Sequence, residues 1–306
     1  MAAITAALVK ELREKSGAGM MDAKKALTET DGDMDAAIDL LRQKGLAKAE
    51  KKSSRTAAEG LVAIAMDGTK GAVIEVNSET DFVARNEQFQ TFVSKVANAA
   101  LHGNDTIEKL SAADLDGKDV AQTLTNMIST IGENMALRRV SVLEVNKGVV
   151  AGYVHNALSG NLGKIGVLIA LESEGDKDKL QALGKQIAMH VAAAFPQCLD
   201  RDSVDPAIIE RERSILIEQA KEEGKPQEIA EKMVEGRLRN FYGEICLMEQ
   251  VFVIDNETKI SALVENAAKD VGAPVALKGF VRFQLGEGIE VAEEDFAAEV
   301  AKVVNG

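Results

Sequence analysis

Long apolar runs are absent from this 306-residue sequence. No run approaches the ~20 consecutive apolar residues that a membrane-spanning helix needs, so we expect no association with a membrane. The N-terminal stretch MAAITAALVKELREK also lacks the basic start of a signal peptide, because its first lysine is Lys10. These two absences predict a cytoplasmic protein.

Positive charge is scarce as well. Lys and Arg total 36 against 49 Asp and Glu, which gives a formal net charge of -13 and a sequence pI of about 4.9. A molecule with this charge repels nucleic acids and anionic surfaces, so we expect no direct binding to nucleic acid. The composition, 46% hydrophobic and 28% charged, is typical of a globular protein. Proteins and small molecules are therefore the favoured partners, and the length suggests about two domains.

Cysteine and histidine are too few and too scattered to form a familiar motif. Cys198 and Cys246 lie far apart and belong to no C-x-x-C pair, which is typical of core cysteines in a reduced protein. His102, His155 and His190 stand singly, without H-E-x-x-H spacing. His190 lies among apolar residues at helical spacing and is predicted to be buried, whereas the role of His155 stays open. We expect neither a metal site nor a cofactor.

No catalytic motif stands out. Residues 160–166, GNLGKIG, have the glycines of a phosphate-binding loop, but Lys164 is followed by Ile165 and a predicted strand. A phosphate loop needs Ser or Thr there and a helix whose N–H groups face the phosphates, so a hairpin turn is favoured. Neither G-x-S-x-G nor a cysteine beside a base occurs. The chain is predicted not to be an enzyme, and binding is the remaining class.

Residues 1–45 are predicted to form three short helices, the size of a docking module. Apolar residues recur at helical spacing from Ile4 to Leu12, and the first helix should end at Ser16-Gly17. The third helix should end before Gly45. Met20 and Met21 close a glycine-rich loop, and they can either fill the three-helix core or present an adaptable surface to a partner.

Residues 46–58 are predicted to be a basic linker. A solvated linker is the favoured interpretation, and a patch for an acidic partner is the alternative. Between residues 42 and 55 the single acid is Glu50, and the cations are Arg42, Lys44, Lys48, Lys51, Lys52 and Arg55.

The rest of the chain predicts an α+β core made of two related halves. In residues 59–142, strands at 60–66 and 72–76 flank the turn Asp67-Gly68, and an amphipathic helix with Phe89 and Phe92 follows. The second half, residues 143–203 and 243–285, repeats the order, with strands at 149–155 and 165–171 before a helix. Later segments should add a strand over LMEQVFVI, a helix capped by Thr258 and a strand over FVRFQL.

Two helical elements complete the predicted architecture. Residues 204–242 should form a projecting antiparallel helical hairpin, capped by Asp205 with Pro206 at its first position, and broken at Gly224-Lys225-Pro226. Residues 286–306 should form a C-terminal helical module, with one apolar face made by Phe296, Val300 and Val303.

Residues 77–89, NSETDFVARNEQF, place Asp81 beside Phe82 in a connection between a strand and a helix. Connections normally lie at the surface, where an uncovered Phe is unusual. Phe82 can share one helical face with Phe89 and Phe92, so the residues alone favour a place in the core. A ring that contacts another protein is the alternative.

Several motifs resemble, in this order, the bacterial elongation factor Ts family. They are ELREKSGAGMMDAKKAL, ETDFVARNEQF, IGEN, IAMHVAA, GKPQEIAEKMVEGRLRNFYGE and FVRFQLGEGIE, spread from residue 1 to about residue 300. The resemblance implies a guanine-nucleotide exchange factor for the GTPase elongation factor Tu, without a covalent step. It also implies an N-terminal module like ubiquitin-associated domains, and a possible dimer or heterotetramer with elongation factor Tu.

The resemblance also implies site residues. Asp81 and Phe82 would enter the nucleotide domain of the GTPase as a wedge, on a turn shaped by Thr80 and Val83. The loop 156–164 is longer than is common in the family, Lys164 stands where Arg is frequent, and Val251 replaces a usual Pro. Further contacts implied by the family fall on Ile131, Gly132 and His155 in the core, and on Arg13, Met20 and Met21 in the N-terminal module.

A different class of function fits the same pattern of modules. A non-catalytic adaptor or scaffold with a docking module like ubiquitin-associated domains would bind elongation factor Tu without changing nucleotide release. An exchange assay separates the two hypotheses.

Overall fold

The computed structural model describes residues 4–224 and 226–290. The fold is α+β, with antiparallel sheets and helices. The helices are α1 (Ala6–Ser16), α2 (Met20–Glu29), α3 (Met34–Lys52), α4 (Asp81–Ala84), α5 (Glu87–Leu101), α6 (Ile107–Ser111), α7 (Val120–Ile131), α8 (Lys177–Ala194), α9 (Pro206–Glu222), α10 (Gln227–Ile245) and α11 (Ile260–Val271). The strands are β1 (Glu59–Asp67), β2 (Lys70–Ser78), β3 (Asp114–Leu115), β4 (Lys118–Asp119), β5 (Met135–Glu144), β6 (Gly148–His155), β7 (Leu162–Gly163), β8 (Ile165–Glu172) and β9 (Ala276–Gln284).

Two sheets pack face to face and helices cover their outer sides. One sheet has the order β5-β2-β1-β7 and the other has the order β6-β8-β9. Alternate residues of a strand point to opposite faces. Val62 and Ile64 of β1 therefore meet Leu168 of β8 between the sheets, while Leu61 and Ala63 face α5. Both faces of the central strands β1, β2 and β8 are buried, which explains why these strands read as apolar runs rather than as alternating patterns.

Close approach of the sheets depends on residues without a side chain. A Cβ at Gly166 would lie 2.7 Å from Cγ1 of Val62, and one at Gly71 would lie 2.5 Å from Cγ1 of Val150. Distances this short are incompatible with a larger residue unless the backbones move apart. Glycine at these strand positions therefore sets the spacing between the layers.

The predicted hairpin–helix order occurs in both halves. β1 pairs with β2 from Glu59↔Ser78 to Asp67↔Lys70, and α5 follows. β6 pairs with β8 from Gly148↔Glu172 to His155↔Ile165, and α8 follows. The segment 160–166 lies within this second hairpin, as predicted, and not at the start of a helix.

The third helix differs from the prediction. α3 does not end before Gly45 but continues to Lys52, so most of the stretch predicted to be a linker is helical. The residues after Gly45 are mainly Ala, Lys, Glu and Leu, which favour helix strongly. Gly45 itself is buried where α3 packs on α7, with the position of its missing Cβ 3.9 Å from Cβ of Ser129. How the chain divides into domains stays a prediction.

The helical hairpin is formed by α9 and α10 around a narrow apolar seam of Leu216, Val234 and Leu238. Asp205 accepts a hydrogen bond from the backbone N–H of Ala207 at 2.9 Å, which is the predicted cap. Gly224 has φ 67° at the break, where glycine is favoured. The C-terminal helix predicted around Phe296 lies outside the described residues.

The segment after the hairpin is the other correction. Residues 247–254 do not form a strand: Leu247–Glu249 is a 3₁₀ turn, followed by a single bridge between Val251 and Lys259. The side chain of buried Gln250 donates to the carbonyl of Glu244 on α10 and contacts His190 on α8, so it bonds to two helices and not to a strand. α11 begins after Lys259 without a side-chain cap, so the predicted Thr258 cap is also wrong.

His190 is buried, as predicted, and is fixed in one neutral tautomer. Its Nε2 lies 2.9 Å from Oε1 of Gln250, and its Nδ1 accepts the backbone N–H of Val253 at 3.2 Å. Burial holds the pKa of His190 below its ordinary value of 6.5, although the bond to Gln250 raises it.

Among the helices of the described residues, none is long and apolar enough to cross a bilayer.

Acidification should therefore destabilise the protein through His190. The pKa of His190 is lower in the folded state than in the unfolded state, so the unfolded state binds the proton more readily below pH 6.5. We expect the melting temperature to fall as the pH falls from 7 through 6.5 towards 5. Differential scanning calorimetry of the wild type and His190→Gln checks this, because the variant should lose part of that slope. An equal slope in both proteins would contradict the prediction.

Candidate functional site

The turn after β2 presents Phe82 to solvent. The phenyl ring is 75% exposed, whereas Val83 and Ala84, next to it on the single turn α4, are buried against the first sheet and α5. Phe89 and Phe92 lie in that same core. The prediction that Phe82 shares their core face is wrong, because α4 ends at Ala84 and α5 begins only after the cap Asn86, so the two helices do not share one continuous face. Binding of a partner by Phe82 stays a prediction.

The turn is held in place by a carboxylate from another part of the chain. Glu133 accepts the backbone N–H of Thr80 at 2.9 Å through Oε2, and the hydroxyl of Thr80 at 2.7 Å through Oε1. Hydrogen bonds to a charged acceptor are stronger than neutral ones. Thr80 is thus held by an anchor that lies 53 residues further along the chain, and its role in partner binding stays a prediction.

A second carboxylate makes the reciprocal contact. Glu79, adjacent to Thr80, accepts the backbone N–H of Asn134 at 2.5 Å, and it pairs with Arg55 at 3.4 Å. The side-chain amide of Asn134 donates to the carbonyl of Arg55 at 2.7 Å. Each segment therefore supplies a carboxylate to the backbone of the other. We refer to Glu79, Thr80, Glu133 and Asn134 as the carboxylate clamp.

Ile131 and Gly132 lie next to the clamp, at the end of α7. Gly132 has φ 90° and closes the helix by donating its N–H to the carbonyl of Ile128, a conformation that glycine adopts without strain. Nζ of Lys52 donates to the carbonyl of Gly132. The carboxylate clamp therefore places the Phe82 turn beside Ile131 and Gly132, because Glu133 directly follows Gly132 and is hydrogen-bonded to Thr80.

Sequence reasoning missed the residues that support the site. Glu133 and Asn134 belong to the quoted IGEN motif, but nothing local indicates which backbone groups they bind. The basic stretch contributes Lys52 and Arg55 to the site, and its remaining pairs join α3 to α2. These pairs are Lys44 with Glu29 at 2.6 Å and Lys48 with Asp22 at 3.0 Å. These four cations therefore make contacts within the chain, while Lys44, Lys48 and Arg55 stay 41–53% exposed, and both predicted roles of the basic stretch stay predictions.

Asp81 adds charge at the edge of the exposed ring. Its carboxylate is about half exposed, 48% by side chain, and pairs with Arg85 one helical turn later at 3.2 Å. An exposed pair of this kind contributes little to stability. Both charged groups are therefore available to a partner that approaches Phe82.

The N-terminal module presents Met20 and Met21 at its surface. They are 61% and 76% exposed at the start of α2, while the module core consists of other residues, including Leu12 and Leu27. The core alternative for the two methionines is therefore wrong. Arg13 is exposed as well, in the last turn of α1.

Contacts join this module to α7, which ends at the site. Lys118 of β4, two residues before α7 begins, donates through Nζ to the carbonyl of Lys15 at 3.0 Å, and the hydroxyl of Thr130 on α7 lies 3.5 Å from the carbonyl of Gly17. The loop that precedes Met20 thus rests on the same helix that carries Ile131. The N-terminal module therefore contacts the helix whose C-terminal end lies beside the Phe82 turn.

His155 lies elsewhere, at the end of β6 in the second sheet. The hydroxyl of Tyr153 is 3.1 Å from its Nδ1, and its backbone pairs with Ile165. The loop that follows sends Leu162 and Gly163 back to β1 of the first sheet. The predicted site residues therefore occupy three surfaces: the Phe82 turn with Ile131-Gly132, the N-terminal module, and the end of β6.

Comparisons with known proteins agree over almost the whole chain. The family model described as "Elongation factor TS" matches residues 79–287. "Elongation factor Ts" of Rhodospirillum centenum is 63% identical over 305 residues, covering 99% of this chain and 99% of the relative. The protein of that name from Rhizorhabdus wittichii is 62% identical over 307 residues, covering 100% of both. That from Rhodospirillum rubrum is 62% identical over 304 residues, covering 98% of both. The chain therefore belongs to the elongation factor Ts family of translation elongation factors.

Proposed function

We propose that the chain is a guanine-nucleotide exchange factor that binds elongation factor Tu with GDP and promotes release of the GDP, so that GTP can rebind during elongation. The observation that carries the proposal is the exposed ring of Phe82 on a turn anchored by buried Val83 and by Glu133. A ring held out on a rigid support loses little conformational freedom when it enters a pocket. Membership in the family supports the same function.

The wedge acts on the nucleotide site of the partner. A GTPase holds GDP through Mg²⁺ at the phosphates and through backbone N–H groups of its phosphate loop. Phe82, inserted between helices of the GTPase, displaces the elements that support the Mg²⁺. Phosphate charge is then poorly compensated, and the affinity for GDP falls. Linkage requires that bound GDP lowers the affinity for this chain by the same factor.

The other surfaces keep the complex together while the wedge acts. Asp81, Ile131 and Gly132 flank Phe82 and would contact the same domain of the GTPase. His155 would contact it from the second sheet. The three-helix module, which we propose to be like ubiquitin-associated domains, would dock through the exposed side chains of Arg13, Met20 and Met21.

A stopped-flow experiment tests the proposal. Elongation factor Tu loaded with a fluorescent GDP is mixed with excess unlabelled GDP, with and without this protein. We expect this protein to accelerate the loss of fluorescence greatly. If release stays at its spontaneous rate while binding is detected, the protein is an adaptor and the exchange proposal fails.

Truncating the docking methionines should weaken the complex without weakening the fold. In Met20→Ala/Met21→Ala we expect a loss of about 1–2 kcal/mol, roughly 5- to 30-fold in affinity for nucleotide-free elongation factor Tu. The melting temperature should not change, because both side chains are exposed. Isothermal titration calorimetry measures the affinity.

Leu46→Ala is the matched control for the methionines. Leu46 is another exposed apolar side chain, 53% exposed, on α3, which begins in the same module and continues past it. Its truncation should leave the affinity unchanged. Equal losses in both variants would mean that the methionines have no particular role in docking.

A further inference from the structure

The two cysteines of the chain meet at the base of the helical hairpin. They are 48 residues apart in sequence, yet their Sγ atoms lie 3.3 Å apart. Cys198 is half-buried and Cys246 is completely buried. Both are free thiols. Cys198 comes shortly before α9, and Cys246 directly follows α10.

The backbone holds the two thiols together. Cys198 and Cys246 form an isolated parallel bridge. Around it, the N–H groups of Gln197 and Cys198 donate to the carbonyl of Ile245 at 2.8 and 3.1 Å, and the N–H of Leu247 donates to the carbonyl of Cys198 at 2.9 Å. Adjacent strands lie about 4.8 Å apart, within the roughly 4.4–6.8 Å between Cα atoms that disulfides span. The sulfur contact therefore follows from the main chain and not from one side-chain rotamer alone.

We propose that Cys198 and Cys246 form an oxidation site, at which a peroxide closes an intramolecular disulfide that locks the base of the helical hairpin. The site is independent of the exchange activity proposed above.

The two thiols have different roles in this reaction. Burial, followed by the hydrogen bond between the two thiols, raises the pKa of Cys246 to about 12, so Cys246 stays protonated at neutral pH. Cys198 is the more accessible thiol, so its sulfur is the one that attacks the peroxide.

The steps balance with hydrogen peroxide as the oxidant. The sulfur of Cys198 attacks one peroxide oxygen and the O–O bond breaks. The departing hydroxide takes the proton of the Cys198 thiol, so that sulfenic acid and one water are formed. The sulfur of Cys246 then attacks the sulfur of Cys198, and the S–O bond breaks. The departing hydroxide takes the proton of Cys246 and leaves as a second water. Two thiols thus lose two hydrogens and two electrons, and one peroxide becomes two waters.

The bond would constrain the junction between the hairpin and the core. In the reduced protein, the Gln197–Cys198 segment is joined to the Ile245–Leu247 segment by hydrogen bonds and by packing of Cys198 on Ile245 and Cys246, without a covalent bond. A covalent bond there closes the whole hairpin into one loop and prevents the two segments from separating. Local opening at the base is then restricted even when the hydrogen bonds break.

Mass spectrometry of the full chain tests the proposal. The native protein is treated with a few equivalents of hydrogen peroxide, and remaining thiols are blocked. We expect an intact mass lower by two hydrogens, a cross-linked peptide containing both cysteines, and reversal by dithiothreitol. Exchange of the backbone N–H of Leu247 with deuterium should slow by about tenfold or more.

The variant Cys198→Ser provides the control. It should show no loss of two hydrogens, and the exchange at Leu247 should not respond to peroxide. Disulfide-linked dimers, a gain of oxygen to sulfinic acid, or unreacted thiols in the wild type would each overturn the proposal. The measurement on the wild type does not depend on how well the variant folds.

Discussion

Phe82→Ala should reduce nucleotide exchange severely and leave folding intact. The ring is 75% exposed, so its removal leaves no cavity in the core. Truncation of a central apolar anchor typically costs about 2–4 kcal/mol of interaction, roughly 30- to 1000-fold in rate if the ring acts in the step that releases GDP. The rate of fluorescent GDP release at saturating variant, together with the melting temperature, gives both quantities.

Phe89→Ala is the matched control for that result. Phe89 is the same residue type seven positions later, but it is completely buried in the core beneath α5. Its truncation should lower the free energy of unfolding by about 3–5 kcal/mol. If Phe82→Ala released GDP from elongation factor Tu as fast as the wild type, Phe82 would not be the wedge, even if the protein is an exchange factor.

Glu133→Ala should reduce exchange although Glu133 need not touch the partner. Its carboxylate holds both the N–H and the hydroxyl of Thr80, directly before Asp81 and Phe82. Without this carboxylate, the turn that carries Phe82 loses conformational entropy when the complex forms. We therefore expect exchange to slow by about tenfold. Losing these hydrogen bonds should also destabilise the fold by about 1–3 kcal/mol. Exchange rates at saturating and subsaturating concentrations separate the effect on release from the effect on binding.

Two further variants distinguish positioning from a general loss of stability. Glu133→Gln keeps an acceptor for the N–H of Thr80 and a donor for its hydroxyl, so it should restore most of the exchange rate. Glu87→Gln removes a nearby exposed charge without touching Thr80, and it should behave as the wild type. Equal slowing in Glu133→Ala and Glu133→Gln would show that charge, and not the position of the turn, is the cause.

The carboxylate clamp illustrates a limit of sequence reasoning. The motifs ETDFVARNEQF and IGEN contain all four of its residues, but their pairing joins positions 53 and 55 residues apart. Spacing in the sequence carries no information about such contacts. They arise because β5, which follows Asn134, pairs with β2, which precedes Glu79. The register of two strands, and not a local pattern, brings the two carboxylates to the two backbones.

The spacing of apolar residues also does not predict that the side chain of Phe82 points to solvent. Apolar residues at 82, 89 and 92 fit one helical face, but the break between α4 and α5 turns Phe82 away from the other two. Val83 and Ala84 supply the buried side of the short turn instead. The resemblance to the family, and not periodicity, indicated a projecting ring.

By itself, the sequence determined the elements whose signals are local. The Asp67-Gly68 turn sets the first hairpin, Asn86 and Asp205 cap α5 and α9, and amphipathic spacing marks the faces that α5 and α8 bury. Each depends on groups within a few residues of one another. The tertiary structure alone decided that α3 continues through Gly45 against α7, that Glu133 clamps Thr80, and that Cys198 meets Cys246. These outcomes depend on the packing of segments that are distant in sequence. Locally, a helix can end at several residues, and a carboxylate or a thiol can adopt several conformations of similar free energy. Only contacts across the fold select one of them.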